Sequence, residues 1–111
     1  MELLEQIKKS QRISHDALDD VLQSDIDAGA DELLRAGVYP YSADGSISEK
    51  PLVRKAIELY AKGMEDFEEK GSVYIASFEK LRDAMALSGE YGVQRTDYTG
   101  NDEKDTKQPG I

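Results

Sequence analysis

Cysteine is absent from this chain, and histidine occurs once. The first absence excludes disulfides and thiolate sites, and it suits synthesis in a reducing cytoplasm. The second leaves His15 as the only imidazole for metal or proton chemistry. Tryptophan is missing too, and with only two phenylalanines the core must be mostly aliphatic. No apolar run approaches the roughly 18–20 residues that cross a bilayer. The start Met1-Glu2-Leu3-Leu4-Glu5 lacks the basic opening of a signal peptide. What abounds is negative charge: 23 acidic against 14 basic side chains, a net charge of −9. Such a surface repels phosphate backbones and anionic lipid, so neither tight nucleic-acid binding nor membrane docking is expected. At 111 residues the chain is one domain with a real but modest core.

Helical spacing dominates what remains. Leu3, Leu4 and Ile7 predict a short first helix ending near Ser10. Ser14 is then expected to cap a second helix, with Ile13 before it as a hydrophobic staple and Asp16 at its positive end. Leu18, Leu22, Ile26, Gly29, Leu33 and Ala36 fall on one arc of that helix at about 100° per residue. Asp16, Asp20, Gln23, Ser24, Asp27 and Asp31 fall on the opposite arc. Gly37 can take the left-handed conformation beyond the last turn, with Val38 as its hydrophobic contact.

An aperiodic loop with Asp44-Gly45 at its turn leads to Pro51, a favourable first helical residue. From there a third helix is expected to about Lys70. Val53, Ala56, Ile57, Tyr60, Met64 and Phe67 share one face, widened by Leu52, Leu59 and Gly63, so this helix should touch neighbours on two sides. Glu58/Lys62 and Asp66/Lys70 are i,i+4 pairs in the favourable order. Ser72 is expected to cap a fourth helix whose stripe is Tyr74, Phe78, Leu81 and Met85, with Gly89 closing it and Tyr91 packing behind. Beyond Gly92 the chain is polar, apart from Val93, Tyr98 and Ile111, and a flexible arm is expected there.

The chemical motifs fail in detail. Asp25 to Ala36 resembles a calcium loop, but its glycine, Gly29, stands at the fifth position and Ala36 at the twelfth, where glutamate is required. His15 and Asp19 make one i,i+4 pair, while bundle di-metal sites need two Glu-x-x-His sets. No phosphate-cradling glycine loop and no nucleophile elbow occurs. Neither an enzyme, nor a cofactor, nor a metal site is expected. Asp25, at the edge of the packing arc, is expected to be partly buried and salt-bridged to a neighbouring helix or subunit. Gly29 on the packing face marks close approach of helices. Leu34 on the acidic side of the second helix, together with Ile75 and Ala86 on the back of the last, hints at a subunit contact. Tyr39 and Tyr41 around Pro40 fit either an interface anchor or packing over the bundle end.

In the order and spacing of three blocks the chain resembles the head-to-tail connector (adaptor) proteins of tailed bacteriophages. The first block is Arg12-Ile13-Ser14-His15 with Leu18-Asp19-Asp20 and the ending Leu34-Arg35-Ala36-Gly37-Val38. The second is Pro51-Leu52-Val53-Arg54-Lys55-Ala56-Ile57-Glu58-Leu59-Tyr60. The third runs from Phe78-Glu79-Lys80-Leu81 to Leu87-Ser88-Gly89-Glu90-Tyr91. They cover roughly residues 1 to 92. The acidic Glu65-Asp66-Phe67-Glu68-Glu69 stretch and the tail depart from the family pattern.

The resemblance implies a non-catalytic subunit of a ring of about twelve copies. Such a ring sits beneath the portal at the virion neck and extends the DNA channel toward a stopper or tail-completion protein. Duplex DNA would pass through without sequence-specific binding. The arm from Gly92 would order on the portal, anchored by Tyr98 and Ile111.

The reading is therefore an all-α fold, a small bundle of one short and three longer helices. Residues 1–91 form the helical domain and 92–111 the flexible arm. Asp16, Asp20, Asp27 and Asp31 are the candidate channel-facing acids. Leu34, Tyr39, Tyr41, Ile75, Tyr98 and Ile111 are the candidate subunit or portal contacts. The rival from another class is an acidic helical inhibitor or DNA mimic that fills a basic protein cleft. A small DNA-binding regulator is opposed by the charge balance.

Overall fold

A computed structural model describes residues 2–92. Four α-helices follow one another in it: α1 (Leu3–Ser10), α2 (Asp19–Arg35), α3 (Pro51–Met64) and α4 (Gly71–Ser88). A 3-10 turn, Phe67–Glu69, lies between the last two. This is the all-α bundle expected, one short helix and three longer. Tyr98, Ile111 and the arm beyond Gly92 lie outside the described residues.

Helix α3 is the hub, packing against α1, α2 and α4, while α4 makes its main contact with α3. The width of its apolar face explains this, because Val53, Ala56, Ile57 and Ala61 are all fully buried. Ile7, Leu22, Ile26 and Leu33 close on it from α1 and α2, and Phe78 and Met85 from α4. Each large aliphatic side chain buried this way contributes roughly 1.5–3 kcal/mol. Gly29 lets α2 approach closely: a Cβ there would stand 3.1 Å from Tyr60 Cδ2. The Tyr60 ring in turn meets Phe78 edge-on at 5.1 Å, so three helices are keyed through one aromatic pair.

The helix ends divide into those that glycine supplies and those it does not. At the end of α2, Gly37 has φ +91°. Its N–H donates to the Leu34 carbonyl, and the Val38 N–H donates to the Leu33 carbonyl. This satisfies two orphan acceptors and buries Val38. Gly89 takes the left-handed position at the end of α4, with φ +79°, and the Glu90 N–H donates to Ser88 Oγ at 3.2 Å. The end of α1 has the same hydrogen bonds, Arg12 N to Lys9 O and Ile13 N to Lys8 O, but Arg12 holds the left-handed position at φ +58°. An L side chain there costs about 1–2 kcal/mol. Arg12→Gly is therefore expected to stabilise the fold by about 0.5–1 kcal/mol, once the entropy of the freed glycine is subtracted. Urea denaturation measures this directly, and a loss of stability would show that the arginine side chain contributes more than its backbone costs.

Three sequence expectations about helix bounds are corrected. Ser14 does not cap α2, which begins at Asp19 with Leu18 as its capping position. A turn intervenes, in which the Ala17 N–H donates to His15 Nδ1. Asp16 is therefore off the helix and hydrogen-bonds Lys8 Nζ at 3.0 Å. Helix α3 stops at Met64 rather than near Lys70, so Met64 is 53% exposed and Asp66/Lys70 is not a helical pair. Ser72 does not cap α4 either. Asp66 Oδ1 accepts from the Gly71 N–H at 2.7 Å, so the first free amide of α4 is satisfied from across the corner.

That corner carries backbone strain. Asp66, Glu68 and Glu69 all sit at positive φ, between 53° and 59°. The chain is tightly packed there: a Cβ on Gly71 would lie 2.8 Å from the Gly63 carbonyl oxygen and 2.6 Å from the Asp66 side-chain Oδ1. At Gly63 the crowding comes mainly from a side chain that can move, since a Cβ there would lie 2.6 Å from Ile75 Cδ1 and 3.2 Å from the Gly71 carbonyl oxygen.

Candidate functional site

The acidic surface of α2 consists of Asp20, Asp27 and Asp31, all exposed. Gln23 donates to Asp27 Oδ1 at 3.1 Å, and Asp31 holds Arg35 at 3.0 Å one turn on. Asp16 leaves this set, because the helix begins after it. Its carboxylate and that of Asp19 flank the buried Lys8 ammonium at 3.0 and 2.8 Å. Asp19 first, then Asp16, raises the Lys8 pKa against the opposing effect of burial. The pairing ties α1 to the turn that opens α2.

Asp25 lies on α2 facing the corner after α3, and its partner is an acid. The expected salt bridge is replaced by Glu65. Asp25 Oδ2 is buried without a donor among the protein groups around it. Desolvation, then hydrogen bonding to Glu65, then the Glu65 charge push the Asp25 carboxyl up to about 7 from 3.8. Two carboxylates supply only acceptors, so one proton held between them makes the contact favourable. Tyr60 borders the pair. Burial, then Glu32, then Asp25 raise its hydroxyl pKa. Sequence spacing put Asp25 at the packing edge but could not name an acid from another element as its neighbour.

The candidate contact residues separate into exposed and packed ones. Leu34 is exposed, as expected of a side chain on the acidic side of α2. Tyr39 is 39% exposed, while Tyr41 is half-buried against the core. Their rings meet edge-on at 5.7 Å. The Tyr39 N–H donates to the Tyr91 carbonyl at 2.6 Å, which ties the loop to the end of the described chain. Tyr41 pairs with Ile47 in one antiparallel bridge, closing a tight hairpin around Asp44-Gly45. Asp44 Oδ1 accepts from the Ser46 hydroxyl at 2.6 Å and from its N–H at 3.0 Å.

Ile75 is corrected. It is half-buried over Gly63, where the missing side chain makes room for it, and so belongs to the α3–α4 contact. The outer side of α4 instead presents Val73, 59% exposed, and Leu87, 88% exposed. Sequence inspection missed both, because an apolar residue outside the main stripe looks like ordinary surface. They share that side with Ala76 and Ala84 and with the exposed charges Glu79, Lys80 and Asp83.

Among the described residues, no three His, Asp or Glu side chains converge as metal ligands, and no helix is long and apolar enough to cross a membrane. No family model, curated protein or solved structure matches the chain.

Proposed function

We propose that the protein is a structural subunit that acts by assembly, a head-to-tail connector of a tailed phage or prophage. In this reading copies form a ring at the virion neck, bind the portal on one side and a stopper or tail-completion protein on the other, and enclose a passage for DNA. The observation that carries it is the outer face of α4. This helix leans on α3, yet among the described residues it leaves Val73 near its start and Leu87 near its end uncovered, and Met64 is exposed at the end of α3. A neighbouring copy in a ring would cover apolar side chains that the described residues leave open. Asp20, Asp27 and Asp31 suit a channel wall, where carboxylates would keep phosphates from adhering.

The acidic face of α2 favours a second reading, a protein inhibitor that imitates DNA. The two separate by mutation. For a connector, Leu87→Glu should abolish co-sedimentation with portal rings while leaving the melting temperature unchanged, and Asp27→Asn with Asp31→Asn should leave assembly intact. For a mimic, the aspartate changes should abolish binding to a DNA-binding enzyme and Leu87→Glu should do nothing. Unchanged portal binding by Leu87→Glu would refute the role given to α4.

A further inference from the structure

A cleft of about 550 Å³ opens between α1, α2 and the hairpin around Gly45. This falls within the range of pockets that hold small ligands or anchoring side chains, roughly 300–1,000 Å³. Its apolar lining comes from Leu3, Leu4, Ile26, Tyr41 and Ile47. The carboxylates of Glu2, Asp27 and Glu49 also line it. Arg54 is the one basic side chain lining the cleft, and it is engaged by Gln6 at 3.2 Å and by Glu49 at 3.9 Å. The hairpin lip is held in shape by Asp44 and Ser46 rather than by the cleft. Asp27 belongs both to the cleft and to the acidic face of α2, so the two surfaces are continuous.

We propose that this cleft receives an apolar anchor residue from a cationic protein segment whose flanking lysines or arginines lie along Asp27, Glu49 and Glu2. The cleft takes the anchor by burial, and the carboxylates select the charge and speed the encounter. Duplex DNA and anionic vesicles share the sign of the rim and are repelled. The inference does not depend on ring formation and would hold for a connector or an inhibitor.

The probe is a fluorescein-labelled synthetic peptide with a central leucine flanked by three lysines on each side, titrated into the full chain and read by anisotropy. A matched peptide carries serine at the centre. The leucine peptide should bind at micromolar concentrations and the serine peptide about tenfold more weakly. Ile47→Ser should erase that difference, and Asp27→Asn with Glu49→Gln should weaken both peptides and flatten their salt dependence. Because Ile47→Ser can loosen the hairpin, backbone amide shifts of the wild-type protein provide the second measurement. Perturbation should centre on residues 45–47 and on Leu3 and Leu4. Equal binding of the two peptides, shifts centred elsewhere, or no binding at all would overturn the proposal. Failure here leaves the connector reading standing, since the latter is tested through α4 and the portal.

Discussion

Replacing Gly71 by alanine is expected to lower the unfolding free energy by about 2–4 kcal/mol. The added Cβ would fall 2.8 Å from the Gly63 carbonyl oxygen and 2.6 Å from Asp66 Oδ1. One obstacle is main chain and cannot rotate away. The other is the oxygen that caps α4, so moving it forfeits a charge-assisted hydrogen bond to the Gly71 amide. Asp66→Ala isolates the second effect and should cost about 1 kcal/mol. Urea denaturation of both variants separates capping from overlap. A neutral Gly71→Ala would mean that α3 and α4 do not meet as described.

The second large effect is a change of pH dependence at Asp25. The carboxyl titrates near 3.8 when unpaired and is held up to about 7 beside Glu65 in the fold. A group whose folded pKa is raised adds stability below its unfolded pKa and loses that addition as pH rises through the folded value. The window is therefore about pH 4 to 7. Asp25→Asn keeps the shape, can donate to Glu65 at any pH, and removes the titration. At pH 8 it should exceed the wild type by about 1–2 kcal/mol, a figure held down because the pair is partly open to water. At pH 4 the advantage should disappear. Denaturation midpoints at several pH values check this, and a difference independent of pH would exclude a proton shared by the pair.

The fold was legible where a short-range rule decides. Gly37 and Gly89 announced their helix ends because glycine takes the left-handed conformation without steric penalty. The packing stripes of α2, α3 and α4 announced themselves by period. Where tertiary contacts decide, the sequence misled. Glu65 to Lys70 contains good helix formers, yet α3 stops at Met64, Gly63 and Gly71 meet closely across the corner, and Asp66, Glu68 and Glu69 take positive φ. Arg12 ends α1 at a position where glycine would have been the signal. Ser14 has the composition of a cap, but Lys8 draws Asp16 and Asp19 toward α1 and the helix starts later.

The same division holds for the functional surfaces. Asp20, Asp27, Asp31 and Leu34 could be placed outside from spacing alone, since α2 has one packing face. The cleft could not, because it needs residues from α1, α2 and the hairpin together. Nor could the outer face of α4, whose openness follows from α4 having its main contact with α3 alone.

Electron microscopy of the protein mixed with candidate phage portal rings tests the proposed assembly most directly. A connector subunit should give ring-shaped density coaxial with the portal, with α4 at the contact between adjacent copies. Portal particles free of added density at saturating protein, together with protein that instead displaces DNA from a basic enzyme cleft, would contradict it.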